Sequence, residues 1–376
     1  MLLSADQEAI RDAVRDFSQA ELWPNAPRWD REHSFPKEAH QGLAALGAYG
    51  ICVPEEHGGA GLDYLTLALV LEEIAAGDGG VSTVISVNNC PVCAILLTFG
   101  SEAQKREFLV PLARGEKLGA FCLTEPHVGS NAAALRTRAT LDGDAYVLNG
   151  VKQFITSGKN GQVAIVIAVT DKGAGKRGMS AFIVPTSAPG YVVARLEEKA
   201  GQHSSDTAQI VFEDCRVPVA NRIGEPGDGY RIALSSLEGG RIGIAAQSVG
   251  MARAAFEAAL AYAKQRESFG QPIFEHQAIN FRLADMATQI EAARQLVLHA
   301  ASLRDAGVPC LKQAAMAKLF ASEMAEKVCS DAIQIFGGYG FVADFPVERI
   351  WRDVRVCQIY EGTSDIQRIL IGRALA

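Results

Sequence analysis

Glu361 is the side chain whose neighbours best suit it to acid–base chemistry. It follows the apolar run Val356-Cys357-Gln358-Ile359-Tyr360 and precedes Gly362, whose bare backbone lets a ligand approach. A carboxylate held among apolar groups resists ionisation, so its pKa rises and it can serve as a base. Beyond it, Thr363-Ser364-Asp365-Ile366-Gln367-Arg368 opens a helix, and Ser364 with Gln367 has the spacing of a capping box. The plainer alternative for Glu361 is a charge favoured by that helix dipole.

Three further clusters suit a planar, phosphorylated ligand. Phe121-Cys122-Leu123-Thr124-Glu125-Pro126-His127-Val128-Gly129-Ser130 begins as a strand and turns through Pro and Gly to a hydroxyl. Backbone amides in such a turn can cradle phosphate. Val151-Lys152-Gln153-Phe154-Ile155-Thr156-Ser157 offers a ring for stacking and a hydroxyl for hydrogen bonding from one strand. Arg266-Glu267-Ser268-Phe269-Gly270, followed by His276-Gln277, sets a guanidinium before a Gly turn, where it can hold phosphate bidentately. Taken singly, each cluster is equally an ordinary strand, loop or solvated Arg. His276 alone reads as a capping or buried structural histidine.

The elements that must position these groups fall into three segments. Residues 1–118 read as helical. Ser4 and Gln7 form a capping box, Pro24, Pro27 and Pro36 break the pattern, and helices resume over 64–76 and 91–99. Residues 119–225 change period. Asp142-Gly143 and Asn149-Gly150 read as hairpin turns, and apolar runs at 163–169, 179–185 and 208–214 read as strands of a small antiparallel β domain. Residues 226–376 return to helix. Ile279, Leu283, Met286, Ile290, Ala293 and Val297 predict an apolar seam on a helix of about 30 residues. A further helix is expected from Pro309 to Gly337-Gly338, and a last one after Gly362.

A chain of 376 residues is too long for one core, which fits this multi-domain α+β order. Its net charge of −7 and lack of a basic run argue against nucleic acid as a partner. The eight cysteines are scattered, and the acidic start has no signal or transit pattern. A reduced, cytoplasmic setting is therefore expected, with a mature organellar form as the alternative. No uninterrupted apolar run suggests membrane insertion. Cys90-Pro-Val-Cys93 reads as two core residues at a Pro turn, since no second pair completes a metal site.

Together, TEPHVGS, FITSG, RESFG, QIFGGYG and IYEGTSDIQR resemble the acyl-CoA dehydrogenase family, in order and approximate spacing over nearly the whole chain. The Gly239-Gly240-Arg241 segment looks most like its bacterial short-chain and short-branched-chain branch. The resemblance implies an N-terminal helical domain, a middle β domain and a C-terminal four-helix bundle, assembled as a homotetramer. It implies FAD lying between the β domain and the C-terminal helices. Phe121, Cys122, Leu123, Thr124 and Ser130 would border the flavin on one side, with Ser130 also near the acyl-CoA. Phe154, Ile155 and Thr156 would border it on the other. Arg266, Ser268, Phe269, His276 and Gln277 would reach the FAD of a neighbouring subunit. So would the Gly-rich turn of Gln334, Ile335, Phe336, Gly337 and Gly338, while Thr363, Ser364 and Asp365 would lie beside FAD. Glu238 and Arg241 would contact CoA, with Gly362 beside the substrate.

In this reading Glu361 takes the α-proton of the thioester, whose oxygen rests on the Glu361 N–H and a ribityl hydroxyl. Electrons pass to an electron-transferring flavoprotein. Some branches carry the base immediately before the Arg matching Arg241, but here that residue is Gly240. Two positions depart from the family pattern: Asn131 and Glu238 each stand where Asp is usual. The rival enzyme is a flavin oxidase of the same fold. A DNA-binding relative ranks last, because no basic extension follows Ala376.

Overall fold

In the computed structural model, which describes residues 2–375, helices form both ends of the chain and strands its middle. Helix Ala5–Phe17 opens on the expected capping box: Gln7 N donates to Ser4 Oγ, and Ser4 N donates to Gln7 Oε1. Helix Tyr64–Gly77 is buried almost all round, as its continuous apolar sequence requires. The stretch Gly79–Phe99 has the length and hydropathy of a membrane span, which the sequence did not suggest. Its most apolar window is 83% buried inside the fold, so it is packed as core. Cys90 and Cys93 lie within it, buried and unpaired.

Strands β1 (Gly119–Cys122), β2 (Arg138–Asp142), β3 (Ala145–Thr156), β4 (Val163–Val169), β5 (Met179–Pro185), β6 (Tyr191–Leu196), β7 (Thr207–Pro218) and β8 (Arg222–Ile223) join in one sheet. The path runs β6-β7-β3-β2-β4-β5-β8, with β1 added beside β4. Both faces of β4 are buried. Val163, Ile165 and Ile167 pack on N-terminal helices, while Ala164, Val166 and Ala168 face the other side of the sheet. That two-sided burial explains an unbroken apolar strand.

Two sequence expectations need correction here. The sheet is not wholly antiparallel, since β1 runs parallel to β4 with Gly119 opposite Val163. And Asn149-Gly150 is not a turn. Both residues lie inside β3, where the pairing with β7 slips between Leu148 and Gly150. A Cβ at Gly150 would stand 2.6 Å from Thr137 Oγ1, so close backbone approach selects glycine at this bulge. Asn149 and Asp214 bridge the bulge with reciprocal hydrogen bonds of 3.0 Å.

Three long helices, Gly229–Gln265, Gln277–Asp305 and Leu311–Phe336, dominate the C-terminal part, followed by Pro346–Val354 and Ser364–Arg373. Of the predicted seam, Leu283, Met286, Ile290, Ala293 and Val297 are buried, and Ile279 at its start is half-buried against the same core. The Gly229–Gln265 helix is buried through its middle, from Gly239 to Ala252, and so becomes the wall on which the site is built.

Candidate active site

Glu361 occupies the turn that enters the last helix, facing the Gly229–Gln265 and Leu311–Phe336 helices. The turn is left-handed at two successive residues, with φ 53° at Glu361 and 88° at Gly362. For a glutamate that conformation costs about 1–2 kcal/mol, so its surroundings must hold it. Upstream, Tyr360 Oη donates to Gln247 Oε1 at 2.8 Å and lies 3.3 Å from both Thr83 Oγ1 and Gln202 Nε2. Downstream, Lys318 Nζ donates to the Gly362 carbonyl at 2.7 Å. Gln367 Nε2 donates to the same carbonyl at 2.8 Å and to that of Glu361 at 3.2 Å.

The expected capping box is not formed. Thr363 is the N-cap, its Oγ1 accepting from Ile366 N at 3.4 Å. The left-handed Gly362 delivers the chain to Thr363 in an extended conformation, one residue before Ser364. Gln367 is thereby released to grip the turn, and Ser364 Oγ is left buried without a partner.

The carboxylate itself is prepared for proton transfer. Glu361 keeps some exposed surface, yet its Oε2 is sealed and makes no hydrogen bond. Across from it stands Gly240, where a Cβ would come within 2.7 Å of that oxygen. Burial pushes the Glu361 pKa up to about 7, with Arg241 and Lys318 opposing the rise. Arg241 is 5% exposed, and its Nε has no hydrogen-bond partner. Burial lowers its pKa, against the pull of Glu361 and Glu238. Glu238 is engaged within the chain. It accepts from Arg304 Nη1 at 2.8 Å and from Cys310 Sγ at 3.3 Å, while Arg304 sits 4.2 Å above the Tyr64 ring.

The two strand clusters are neighbours, as one ligand requires. Gln153 N donates to the Thr124 carbonyl at 2.8 Å, and Lys152 Nζ to the Leu123 carbonyl at 3.0 Å. Lys152 also pairs with Glu125 at 2.9 Å, and both side chains are almost fully buried. Glu125 accepts from the backbone N–H of Arg136 and Thr137 as well. Neither member of this pair had been singled out, although a lysine inside an alternating apolar strand was the available signal. Phe154 is 63% exposed, with φ 60°. Phe121 and Leu123 are half-buried. Cys122 and Ile155 point into the β core, so they offer a ligand only their backbone. Among the described residues, the Thr124 and Thr156 hydroxyls have no hydrogen-bond partner in the chain. Gly129 and Ser130 are exposed, and a Cβ at Gly129 would meet nothing within 4 Å.

The remaining sequence candidates meet elsewhere. Arg266, Ser268, Ile335, Phe336, Gly337 and Gly338 line one groove of about 480 Å³. His276 stands at a helix N-terminus without capping it, 3.3 Å from Gln271 Nε2 and 3.0 Å from the Ser268 carbonyl. Gln277 and Gln334 are exposed, and Phe269 is 95% exposed. Arg266 caps the far end of the helix that presents Gly240 to Glu361. At about 1.5 Å per residue, about 39 Å of helix separates Gly240 from Arg266. Within one chain, then, this groove is not part of the Glu361 site. Asp365 is exposed beside Arg368.

Comparison with known proteins places this arrangement. Models of the acyl-CoA dehydrogenase N-terminal, middle and C-terminal domains match residues 4–116, 120–215 and 227–376. The chain belongs to the acyl-CoA dehydrogenase family. It is 45% identical over 369 residues to the mitochondrial short-chain specific acyl-CoA dehydrogenase of Rattus norvegicus, spanning 98% of this chain and 90% of that protein. Butyryl-CoA dehydrogenase from Megasphaera elsdenii superposes with a TM-score of 0.97 at 43% identity, over 100% of this chain and 99% of that one. A chain from work on the electron transferring flavoprotein of Acidaminococcus fermentans and flavin-based electron bifurcation gives 0.98 at 46% identity, over 100% and 99%. As an acyl-CoA dehydrogenase, this protein is an oxidoreductase of the CH–CH bond.

Proposed function

We propose that this acyl-CoA dehydrogenase oxidises a short-chain or short branched-chain acyl-CoA to the trans-2-enoyl-CoA, with Glu361 as the base and FAD as cofactor. The observation that carries the reading is the Glu361 carboxylate: sealed, unpaired, opposite the bare Gly240, and raised to about pH 7 by burial. Such a group takes the α-proton of a thioester, and the C–H electrons become the new double bond as the β-hydrogen departs as hydride. FAD, when bound, supplies the two-electron acceptor for that hydride. Among the described residues, the Glu361 N–H makes no hydrogen bond within the chain, which leaves it to donate to the thioester oxygen as charge develops there. A site that excludes water also strengthens that interaction.

The residues present fit FAD. Two unpaired hydroxyls flank this region: Thr156 ends β3, and Thr124 follows β1 and is tied to β3 by the Gln153 N–H, with the open Gly129–Ser130 turn beyond. Ser364 Oγ is buried and unpaired beside the base. The Arg266 groove, with its glycine turn and guanidinium, suits a phosphate-bearing group. The groove is remote from Glu361 in its own chain, which is consistent with the resemblance's assignment of it to the FAD of a neighbouring subunit in a homotetramer. Arg241 is the buried cation for the CoA side, and Glu238 shapes that wall through Arg304. The named relatives support a short acyl chain, and the flavoprotein in the Acidaminococcus work supports an electron-transferring flavoprotein as acceptor.

Rapid mixing with butyryl-CoA, followed by flavin absorbance, tests the assignment. Glu361→Gln should retain flavin but be reduced at least ~10²-fold more slowly, the usual scale for loss of a general base. Glu361→Asp should lose less, because a carboxylate remains, withdrawn by one methylene. Bleaching of Glu361→Gln at nearly the wild-type rate would remove Glu361 from this role.

A further inference from the structure

Lys318 is a fully buried lysine that the sequence motifs do not include. It lies on the Leu311–Phe336 helix at 0% exposure. Burying an ammonium is costly unless an anion pairs with it. Yet among the described residues no carboxylate makes an ion pair with Lys318, whose Nζ donates instead to the Gly362 carbonyl at 2.7 Å. That carbonyl already receives Gln367 at 2.8 Å, so a neutral donor would have sufficed for hydrogen bonding.

The charges around it explain the choice. Lys318 faces Cys357, Glu361, Arg241 and Glu323. Burial pushes the Cys357 thiol up, so it stays neutral. Glu323 pairs with Arg368 at 2.6 Å. Arg241 carries the same sign as Lys318. Cys90 also faces Glu361 and is neutral, pushed up to about 12 by burial. Glu238, which faces Arg241, is paired with Arg304. Glu361 is the anion left unpaired.

We propose that Lys318 is a positioning residue for the base: it holds the left-handed Glu361–Gly362 turn through the Gly362 carbonyl, and it supplies the buried positive charge that keeps the Glu361 carboxylate ionised. The proposal rests on Glu361 being the base. Lys318 touches neither substrate nor proton. It acts through the turn and through its field.

The test uses FAD-loaded wild type, Lys318→Gln, Lys318→Met, Lys318→Arg and Glu361→Gln, each mixed rapidly with butyryl-CoA across the neutral-to-alkaline range. The base must be ionised, so flavin reduction speeds up as pH rises. Loss of the Lys318 charge should move that rising limb to higher pH. Reduction should be on the order of tenfold slower near neutrality, and should recover at alkaline pH. Lys318→Gln and Lys318→Met should both shift, since Gln restores only a hydrogen bond. Lys318→Arg should keep the wild-type limb.

Infrared difference spectra without substrate give a second readout. The protonated-carboxyl band that is absent from Glu361→Gln should persist to higher pH in the Gln and Met variants. A limb and band that stay in place, or a rate lowered equally at every pH, would overturn the proposal. If Lys318→Met does not fold, the Gln and Arg variants decide. Failure of the base assignment is seen separately, as a Glu361→Gln protein that reduces its flavin normally.

Discussion

Glu361 carries opposite consequences for catalysis and for stability. Its ordinary value of 4.5 is raised to about 7 in the folded protein, with burial the largest cause. Between those values the folded state holds a proton that the unfolded state has released. Stability is therefore fully present below about pH 4.5 and is lost as pH rises through about 7. Glu361→Gln removes the ionisation and with it the loss. The FAD-loaded Gln variant should melt at a higher temperature than wild type above neutrality, and the two should converge in acid. Thermal melts followed by circular dichroism at several pH values check this; a Gln variant less stable at alkaline pH would contradict the buried, unpaired carboxylate. Gly240 belongs to the same balance, since any larger side chain would occupy the space the carboxylate needs.

The segment after β1 is tied to β3 by the Gln153 N–H and by one buried ion pair. Lys152 on β3 reaches the Leu123 carbonyl and Glu125, with side-chain exposures of 0% and 1% for the pair. Burial pushes the Glu125 pKa up, but the charge and hydrogen bond of Lys152, with hydrogen bonding from Thr137, outweigh it and hold the group below its usual range. Lys152→Met should leave Glu125 buried with His127 Nε2, 3.5 Å away, as its remaining ion-pair partner, at a cost of up to about 3–5 kcal/mol. The double variant Lys152→Met with Glu125→Leu should recover part of that loss. Urea unfolding of both proteins measures it. A single variant as stable as wild type would show that the two backbone amides suffice for Glu125.

On the scale of the whole molecule, one helix sends its middle to one site and its end to another. Gly240 faces Glu361, while Arg266 lies about 39 Å further along. If Arg266 completes a neighbour's FAD site, two defective chains can rescue each other. Arg266→Ala and Glu361→Gln should each be weak alone, the first through flavin loss and the second through loss of the base. Co-expressed, they form mixed oligomers in which a subunit with intact Glu361 receives Arg266 from its partner. Butyryl-CoA oxidation per flavin should then exceed that of either parent several-fold. No rescue in oligomers shown by mass spectrometry to be mixed would remove Arg266 from a neighbour's FAD site.

Much of this protein was legible without coordinates, because its information is local. The 3.6-residue period of Leu283 to Val297 and the apolar runs of β4 and β5 specify elements by which face they bury. The apolar approach to Glu361 likewise predicted a raised carboxylate. Tertiary structure decided what depends on residues distant in sequence. Asn149-Gly150 has the composition of a turn, yet the approach of Thr137 makes it a bulge. Ser364 and Gln367 have capping-box spacing, but the left-handed Gly362 advances the cap to Thr363 and frees Gln367. Lys318 carries no local signal of its role, and Lys152 only its place within an apolar strand, because the cost of burying a charge is set by what the fold brings beside it.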